Sequence, residues 1–181
     1  MNEALLKTIQ KREKEMKKTF LVIVILCALG TIFASNALAN GQSQFNAGVG
    51  FSSWGVPFYL GFDHGIHRNF TLGGELSYHQ YQDKYNDHDY DHSIIGISGN
   101  GNYHFNNVLE IPSNWDFYAG LSIGFYMWNS PNDYEGSHTS GLGLSGQIGG
   151  RYYFNDKFGL NLEFGGGDSF SGGKFGISLR L

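Results

Sequence analysis

Hydrophobic and polar residues alternate with a period of two from residue 44 onward. This period is typical of β-strands whose two faces meet different surroundings. It is clearest in residues 116–128, where Phe117 and Leu121 belong to the apolar set and Gly120 and Ser122 to the polar set. The segments that show it are 44–54, 56–63, 70–81, 93–105, 116–128, 141–154, 158–166 and 173–181. The pattern therefore predicts eight antiparallel strands.

The length of these segments indicates a membrane protein. They hold roughly nine to thirteen residues, whereas strands of soluble sheets usually have about five or six. A tilted strand that crosses a bilayer needs about nine to eleven residues. Because unpaired backbone groups are costly in lipid, spanning strands must close into a barrel. We therefore predict an all-β fold, an eight-stranded antiparallel up-and-down transmembrane β-barrel over residues 40–181. Eight strands leave an interior that side chains can fill, so we expect a packed polar lumen.

The predicted connections alternate in length. Residues 65–69 and 155–157 read as short turns, and residues 82–92 and 129–140 read as long polar loops. Short periplasmic turns and long external loops are the asymmetry expected of outer-membrane barrels. Residues 106–115 are an exception, since they form a long connection on the short-turn side.

The first 39 residues carry the features of a secretory signal peptide. Lysines precede an apolar run at residues 20–29, and small residues follow up to Ala39. This order predicts a helical signal peptide in residues 1–39 that is cleaved after Ala39, with Met1 or Met16 as the start. An uncleaved anchor is the alternative, but the apolar run is shorter than the ~20 residues of a membrane helix.

Composition and charge narrow the function classes. Only 15% of the residues are charged and 16% are aromatic, which disfavours disorder. Residues 40–181 hold six Lys/Arg and thirteen Asp/Glu, so a nucleic-acid partner is not expected. The single cysteine, Cys27, lies in the predicted signal peptide. We therefore expect no disulfide, no thiolate site and no cofactor in the barrel.

Several charged residues fall on the predicted inward face. Buried charges are costly when they are unpaired, so these residues should pair in the lumen. A hairpin centred near Asp156 places Arg151 diagonally opposite Glu163, within reach of a long side chain. We favour a structural ion pair that plugs the lumen, with a gate or proton path as the alternative. The charged residues on this face are Arg151, Glu163, Glu75, Arg180 and Lys174.

Two stretches carry a family resemblance, residues 149–160 (GGRYYFNDKFGL) and residues 173–181 (GKFGISLRL). They look like the closing hairpins of porin-family barrels. Residues 40–181 resemble the small outer-membrane β-barrel family that includes the OmpA transmembrane domain and OmpX. The resemblance implies a place in the Gram-negative outer membrane among lipid and lipopolysaccharide. It also implies insertion by the barrel assembly machinery, which reads a final strand ending in an aromatic residue, although Leu181 stands there in this sequence.

The predicted loop 82–92 is rich in acidic residues and histidine. Oxygen and imidazole groups could bind a divalent cation or a cation held by lipopolysaccharide, but the spacing matches no calcium loop. Solvated loop polarity is the favoured interpretation. The candidate ligands are Asp87, His88, Asp89, Asp91 and His92.

A weak candidate for catalysis is the pair His138 and Ser140. Its His-x-Ser spacing resembles that of outer-membrane lipid A deacylases. A serine of this kind needs a base that is oriented by a carboxylate, and no suitable acid is evident.

The sequence therefore favours a non-enzymatic outer-membrane barrel with a structural or surface-interaction role. An adhesin or cation-binding protein that uses loops 82–92 and 129–140, with an extracellular partner, is a second hypothesis. The sequence also leaves open a lipid A-modifying hydrolase and a soluble lipocalin-like carrier.

Overall fold

The chain forms a closed barrel of eight antiparallel strands in which each strand pairs with its neighbours in sequence and β8 returns to β1. The computed structural model describes residues 38, 40–52, 55–85, 88–129, 140–168 and 171–181, with the backbone alone for 81–85 and 88–91. Among these residues, no helix has the length and apolarity needed to cross a membrane. The strands are β1 (Ser43–Ser52), β2 (Phe58–His67), β3 (Phe70–Tyr85), β4 (His88–His104), β5 (Trp115–Asn129), β6 (Gly141–Tyr153), β7 (Phe158–Gly167) and β8 (Gly172–Arg180). The predicted fold is confirmed.

Closure of the barrel depends on β1, which pairs on both sides. Val49 lies opposite Phe58 of β2 and opposite Phe175 of β8. Because both edges of β1 are hydrogen-bonded, the wall has no open seam at this strand. A wall of this kind satisfies the backbone within the protein, as a lipid environment requires.

The apolar residues of the strands face outward. Leu121 on β5 is 72% exposed and Leu142 on β6 is 75% exposed, whereas the inward residue Asp116 is 0% exposed. This arrangement is the reverse of a soluble protein, whose apolar side chains gather inside. The predicted division into an apolar outer face and a polar lumen is therefore confirmed.

Short connections join strands at one end of the barrel. Residues 68–69 link β2 to β3, and residues 154–157 link β6 to β7. In the second turn, the Asn155 Oδ1 atom accepts hydrogen bonds from the backbone N–H groups of Lys157 and Phe158, both at 2.9 Å. This Asx-type capping stabilises a tight turn. We call this end the turn end and the opposite end the loop end.

The long connection at the turn end, residues 105–114, is held by one side chain. The Asn106 amide donates to the carbonyl of Trp115, and its Oδ1 accepts from the N–H of Phe117 at 3.2 Å. Asn106 therefore ties the end of the β4 segment to the start of β5, which accounts for the ordered course of the long connection that the sequence predicted at this end.

At the loop end, β3 and β4 form a hairpin that extends beyond the described parts of the neighbouring ladders. Their ladder continues to Tyr85 opposite His88. The β2–β3 ladder ends at Tyr78, and the β4–β5 ladder is described up to Ser93 opposite Asn129, the last described residue of β5. The prediction of a loop over residues 82–92 is therefore wrong, because all but residues 86–87 of it lies in these strands. Backbone pairing continues above the apolar band, where no hydrophobic alternation marks a strand.

Candidate functional site in the barrel lumen

The lumen is crossed by two groups of charged side chains. Direct cross-strand pairing positions both, since Glu163 lies opposite Lys174 on β7 and β8, and Asp116 lies opposite Arg151 on β5 and β6. We call the first group, with Glu75, the Lys174 cluster. We call the second group, with Asp63 and His104, the Arg151 cluster.

In the Lys174 cluster one ammonium group is shared by two carboxylates. The Lys174 Nζ atom lies 2.8 Å from Glu75 Oε2 and 2.8 Å from Glu163 Oε1. The remaining Glu163 oxygen accepts a hydrogen bond from the Tyr118 hydroxyl at 2.8 Å. Glu75 belongs to β3, which two strands separate from β8 in the wall. The cluster therefore connects distant parts of the barrel.

In the Arg151 cluster one guanidinium group is shared by two aspartates. The Arg151 Nη2 atom lies 2.7 Å from Asp63 Oδ2, and Nη1 lies 3.0 Å from Asp116 Oδ2. The other Asp116 oxygen lies 2.7 Å from Nδ1 of His104, whose Nε2 lies 3.0 Å from the Thr71 hydroxyl. All these side chains are buried, so each charge has its partner inside the protein, as burial demands.

The predicted pairing of Arg151 with Glu163 is wrong. Arg151 binds Asp63 and Asp116, and Glu163 binds Lys174. The diagonal relation across the β6–β7 hairpin is present, since Arg151 lies opposite Asn161. However, the guanidinium group is instead taken by Asp116, directly opposite on the adjacent strand β5, and by Asp63, which reaches it from β2 across the lumen.

Tyrosines add neutral links across the lumen. The Tyr59 hydroxyl donates to Asn161 at 2.6 Å, and the Tyr153 hydroxyl donates to Gln44 at 2.6 Å. The guanidinium group of Arg180 lies over the Tyr153 ring, 3.4 Å from its centroid, which is a cation–π contact. Arg180, predicted as part of a lumen ion pair, is thus buried against an aromatic ring.

Little free space remains around the clusters. One cavity, lined by His79, Ser98 and Ser145, lies on the loop-end side of Lys174 and has a volume of about 20 Å³. A second cavity of about 20 Å³ separates Lys174 from Arg151. Each has room for about one water molecule. The lumen is therefore filled by side chains.

Most of the chain matches one protein family. The family described as outer membrane protein beta-barrel domain matches residues 24–178. This chain belongs to that family. Members of the family lie in the bacterial outer membrane, and this is the location of the protein. In outer-membrane barrels the short turns face the periplasm, which puts the turn end on the periplasmic side.

Solved structures share the fold at low identity. The chain is similar to the outer membrane protein OprG from Pseudomonas aeruginosa, with a TM-score of 0.63 and 11% identity over 81% of this chain and 99% of that chain. It is similar to the N-terminal β-barrel domain of Pseudomonas aeruginosa OprF, with a TM-score of 0.52 and 14% identity over 78% and 98%. It is also similar to Ail of Yersinia pestis in complex with the heparin analogue sucrose octasulfate, with a TM-score of 0.51 and 14% identity over 78% and 99%. A comparison with curated proteins gives no match. These identities show the fold alone.

The outer-membrane barrel contains a hydroxyl, an imidazole and a carboxylate in hydrolase-like order, in Thr71, His104 and Asp116. A carboxylate only accepts, so Nδ1 of His104 donates to Asp116, and a second hydrogen bond joins Nε2 of His104 to the Thr71 hydroxyl. Thr71 is only 1% exposed, which keeps its hydroxyl away from an external substrate. The second Asp116 oxygen is used by Arg151. This chain of hydrogen bonds is consistent with an internal structural network.

The structure does not bring together His138 and Ser140, the weak candidates for catalysis, within its described residues. His138 lies outside the described residues. Ser140 is exposed, and its Oγ atom accepts a hydrogen bond from the N–H of Trp128 at 3.0 Å. This contact joins the residue before β6 to the end of β5.

The candidate cation ligands of residues 87–92 differ in how far the structure describes them. Asp87 lies outside the described residues, and His88, Asp89 and Asp91 belong to β4 with their side chains outside the described part. His92 also lies in β4, is 2% exposed and packs near the Trp128 ring, so its prediction as a loop residue is wrong. Among the described residues, no group of three or more His, Cys, Asp or Glu is arranged for a metal ion.

The sequence reasoning missed Asp63 and Asp116 as ion-pair partners. Asp63 falls on the inward face of its segment by alternation. Asp116 is two positions before Tyr118 and therefore lies on the same inward face. The period of two is therefore enough to place both carboxylates in the lumen. It could not pair them with Arg151, because the Asp116 contact depends on the register between β5 and β6, and the Asp63 contact depends on how the barrel closes.

Proposed function

We propose that this protein is a closed outer-membrane barrel that does not conduct solutes and performs no catalysis. Its role is structural or surface-presenting. The observation that carries the proposal is the pair of charged clusters that fill the lumen at two successive levels. Lys174 joins β3 to β7 and β8, and Arg151 joins β2 to β5 and β6.

Opening the lumen would require both clusters to separate. Breaking a buried ion pair by removing one partner costs about 3–5 kcal/mol, because a charge is left without compensation. The cavities beside Lys174 have volumes of only about 20 Å³. A solute would therefore have to displace side chains that are bound to one another by ion pairs.

Planar-bilayer recording tests this proposal. The wild-type protein, inserted from detergent into a phospholipid bilayer, should leave the current at the baseline, while a porin inserted in parallel shows that open barrels are detected. Folding is checked by the shift in gel migration on heating. Steady single-channel currents from the folded wild-type protein would overturn the proposal.

A second candidate function is surface binding through the β3–β4 hairpin. Residues 81–92 contain four Asp and one Lys, and the hairpin extends beyond the neighbouring ladders as far as the structure describes them. Ail, which shares the fold, was solved with a sulfated sugar analogue. Here the negative charge of the hairpin favours a cation or a basic surface, because opposite charges attract.

This second function is tested by replacing residues 82–91 with a two-residue Asn-Gly turn. Cells that carry the shortened barrel should lose binding to a polylysine-coated surface and to Ca²⁺, compared with cells that carry the full barrel in equal amount. Unchanged binding by the shortened protein would contradict the role of the hairpin.

Delivery to the outer membrane forms part of the proposal. Residues 1–39 act as a signal peptide, and the alternating strand β8 is read by the barrel assembly machinery. The mature protein in purified outer membranes should begin at Asn40, as N-terminal sequencing can establish. A mature chain that retains residues before Ala39 would contradict the cleavage site.

A further inference from the structure

A groove lies on the outer surface of the barrel in its turn-end half. Its floor is Gly150 of β6, which lies between Phe117 of β5 and Leu162 of β7. Because Gly150 has no side chain, the surface is lower here than at the outward neighbours. A Cβ atom at this position would lie 3.0 Å from the Phe117 ring. The groove is a shallow, open depression with a volume of about 430 Å³.

The walls of the groove are large apolar side chains. Trp115 and Phe117 stack with 5.5 Å between ring centroids and 8° between ring planes, which makes one wall flat. Ile148 and Phe164 lie opposite each other in the β6–β7 ladder and border the groove towards the loop end. From Trp115 to the level of Ile148, which lies opposite Ala119, the groove covers about 14 Å along the strands, at ~3.4 Å per residue. The space is therefore long and apolar.

The groove begins at the level of the lipid headgroups and continues into the apolar band. At the turn end Trp115 contacts Tyr152, with 4.8 Å between centroids. Amphipathic rings of this kind lie at the level of lipid headgroups. From that level the groove rises into the outward apolar band, which lies in lipid because the protein is an outer-membrane barrel.

We propose that this groove binds one acyl chain of a phospholipid of the periplasmic leaflet. The proposal rests on the location in the outer membrane and is independent of whether the lumen conducts. A flexible chain can follow a narrow depression beside a protruding residue such as Ile148, which is 62% exposed. A second barrel would need to bury about 800 Å² on each partner for a stable interface, and a rigid wall cannot enter the depression.

Photolabelling tests the site directly. The full mature protein is reconstituted into bilayers of phosphatidylethanolamine that carries a diazirine midway along one acyl chain, and labelled peptides are mapped after irradiation. We expect labels to concentrate on residues 115–119 and 148–164. The opposite wall, which includes Leu60 and Leu76, should carry several-fold fewer labels.

A matched pair of variants tests the glycine floor. Gly150→Leu fills the groove and should remove the excess label on residues 115–119. Gly146→Leu changes an outward glycine of the same strand that has open space around its Cβ position, and it should leave the labelling pattern unchanged. Heat-modifiable migration checks that both variants fold.

Three results would overturn the proposal. Even labelling around the wild-type barrel would show ordinary lipid contact without a site. An unchanged map in folded Gly150→Leu would show that the groove is not where the chain lies. If an Ile148→Cys variant forms disulfide-linked dimers in the bilayer and the groove stays unlabelled, a second copy occupies it. The wild-type map decides the question even if Gly150→Leu fails to fold.

Discussion

At the scale of single residues, the lumen consists of charges and polar groups that satisfy one another. Asp116 shows this most fully, because one carboxylate oxygen binds Arg151 and the other binds His104. Its side chain is completely buried. A carboxylate in such a place is tolerated only because both oxygens have partners.

Replacing Asp116 with alanine should therefore be costly. Asp116→Ala leaves His104 without its acceptor and Arg151 with one carboxylate in place of two, so we expect a loss of about 3 kcal/mol in the free energy of unfolding. Urea unfolding in lipid vesicles, followed by tryptophan fluorescence, measures it. The control is Asp156→Ala in an exposed turn, which should change stability by less than about 0.5 kcal/mol. Equal stability of the two variants would contradict the role of the Arg151 cluster.

The sequence could predict which residues of the site face inward, because side chains alternate between the two faces of a strand. Alternation alone assigns Glu75, Glu163 and Lys174 to the inward face, and they meet there. Parity carries no information about distance across the lumen. Sequence reasoning therefore pairs Arg151 with Glu163 on β7. Its actual partners are Asp116 on β5 and Asp63, which lies 88 residues away on β2.

At the scale of the strands, the seam between β1 and β8 requires small residues. Gly48 lies opposite Gly176 in this ladder. A Cβ atom on Gly176 would meet the carbonyl oxygen of Ala47 and the hydroxyl of Tyr59. Backbone atoms of a closed ladder cannot withdraw, so the close approach depends on glycine.

Gly176→Ala should weaken this seam. Overpacking of this kind costs about 1–3 kcal/mol, and we expect a lower temperature for the gel-migration shift that reports unfolding. Gly146→Ala serves as the control because nothing lies within 4 Å of its Cβ position. A Gly176→Ala barrel as heat-resistant as the control would show that the seam has room to adjust.

The β3–β4 hairpin makes a register prediction. Asp83 lies opposite Tyr90, and opposed residues in antiparallel strands have Cα atoms about 4.5–5.5 Å apart, within disulfide range. The double variant Asp83→Cys/Tyr90→Cys should form a disulfide on mild oxidation. The pair Asp83→Cys/Asp89→Cys should not, because neighbouring positions on a strand point to opposite faces. Mass spectrometry of the hairpin peptide distinguishes them, and a loop would give bridges in both.

At the scale of the whole molecule, charged contacts connect walls that are distant in the sheet. Lys174 on β8 reaches Glu75 on β3 in addition to Glu163 on the adjacent β7. Such contacts resist collapse or widening of the barrel, because either movement separates buried charges. The contribution of the Lys174 cluster to stability therefore depends on all three side chains together and is not a sum of separate pair energies.

This collective behaviour predicts strong non-additivity. Lys174→Met leaves two carboxylates facing each other and should cost about 3–5 kcal/mol. Adding Glu75→Gln and Glu163→Gln should restore much of the loss, since neutral groups remain. Urea unfolding of the single and triple variants measures the difference. Losses that simply add would show that the three side chains act independently.

The sequence by itself determined which residues face lipid and which face the lumen, because the side-chain direction of a strand is a local property with a period of two. It also determined the number of strands and the positions of most turns. Only the tertiary structure decided which charges meet, how far the β3–β4 hairpin rises and where the outer surface is indented. These features depend on closure of the barrel, which brings together residues such as Gln44 and Tyr153, 109 positions apart. A local sequence pattern contains no information about contacts over such a distance.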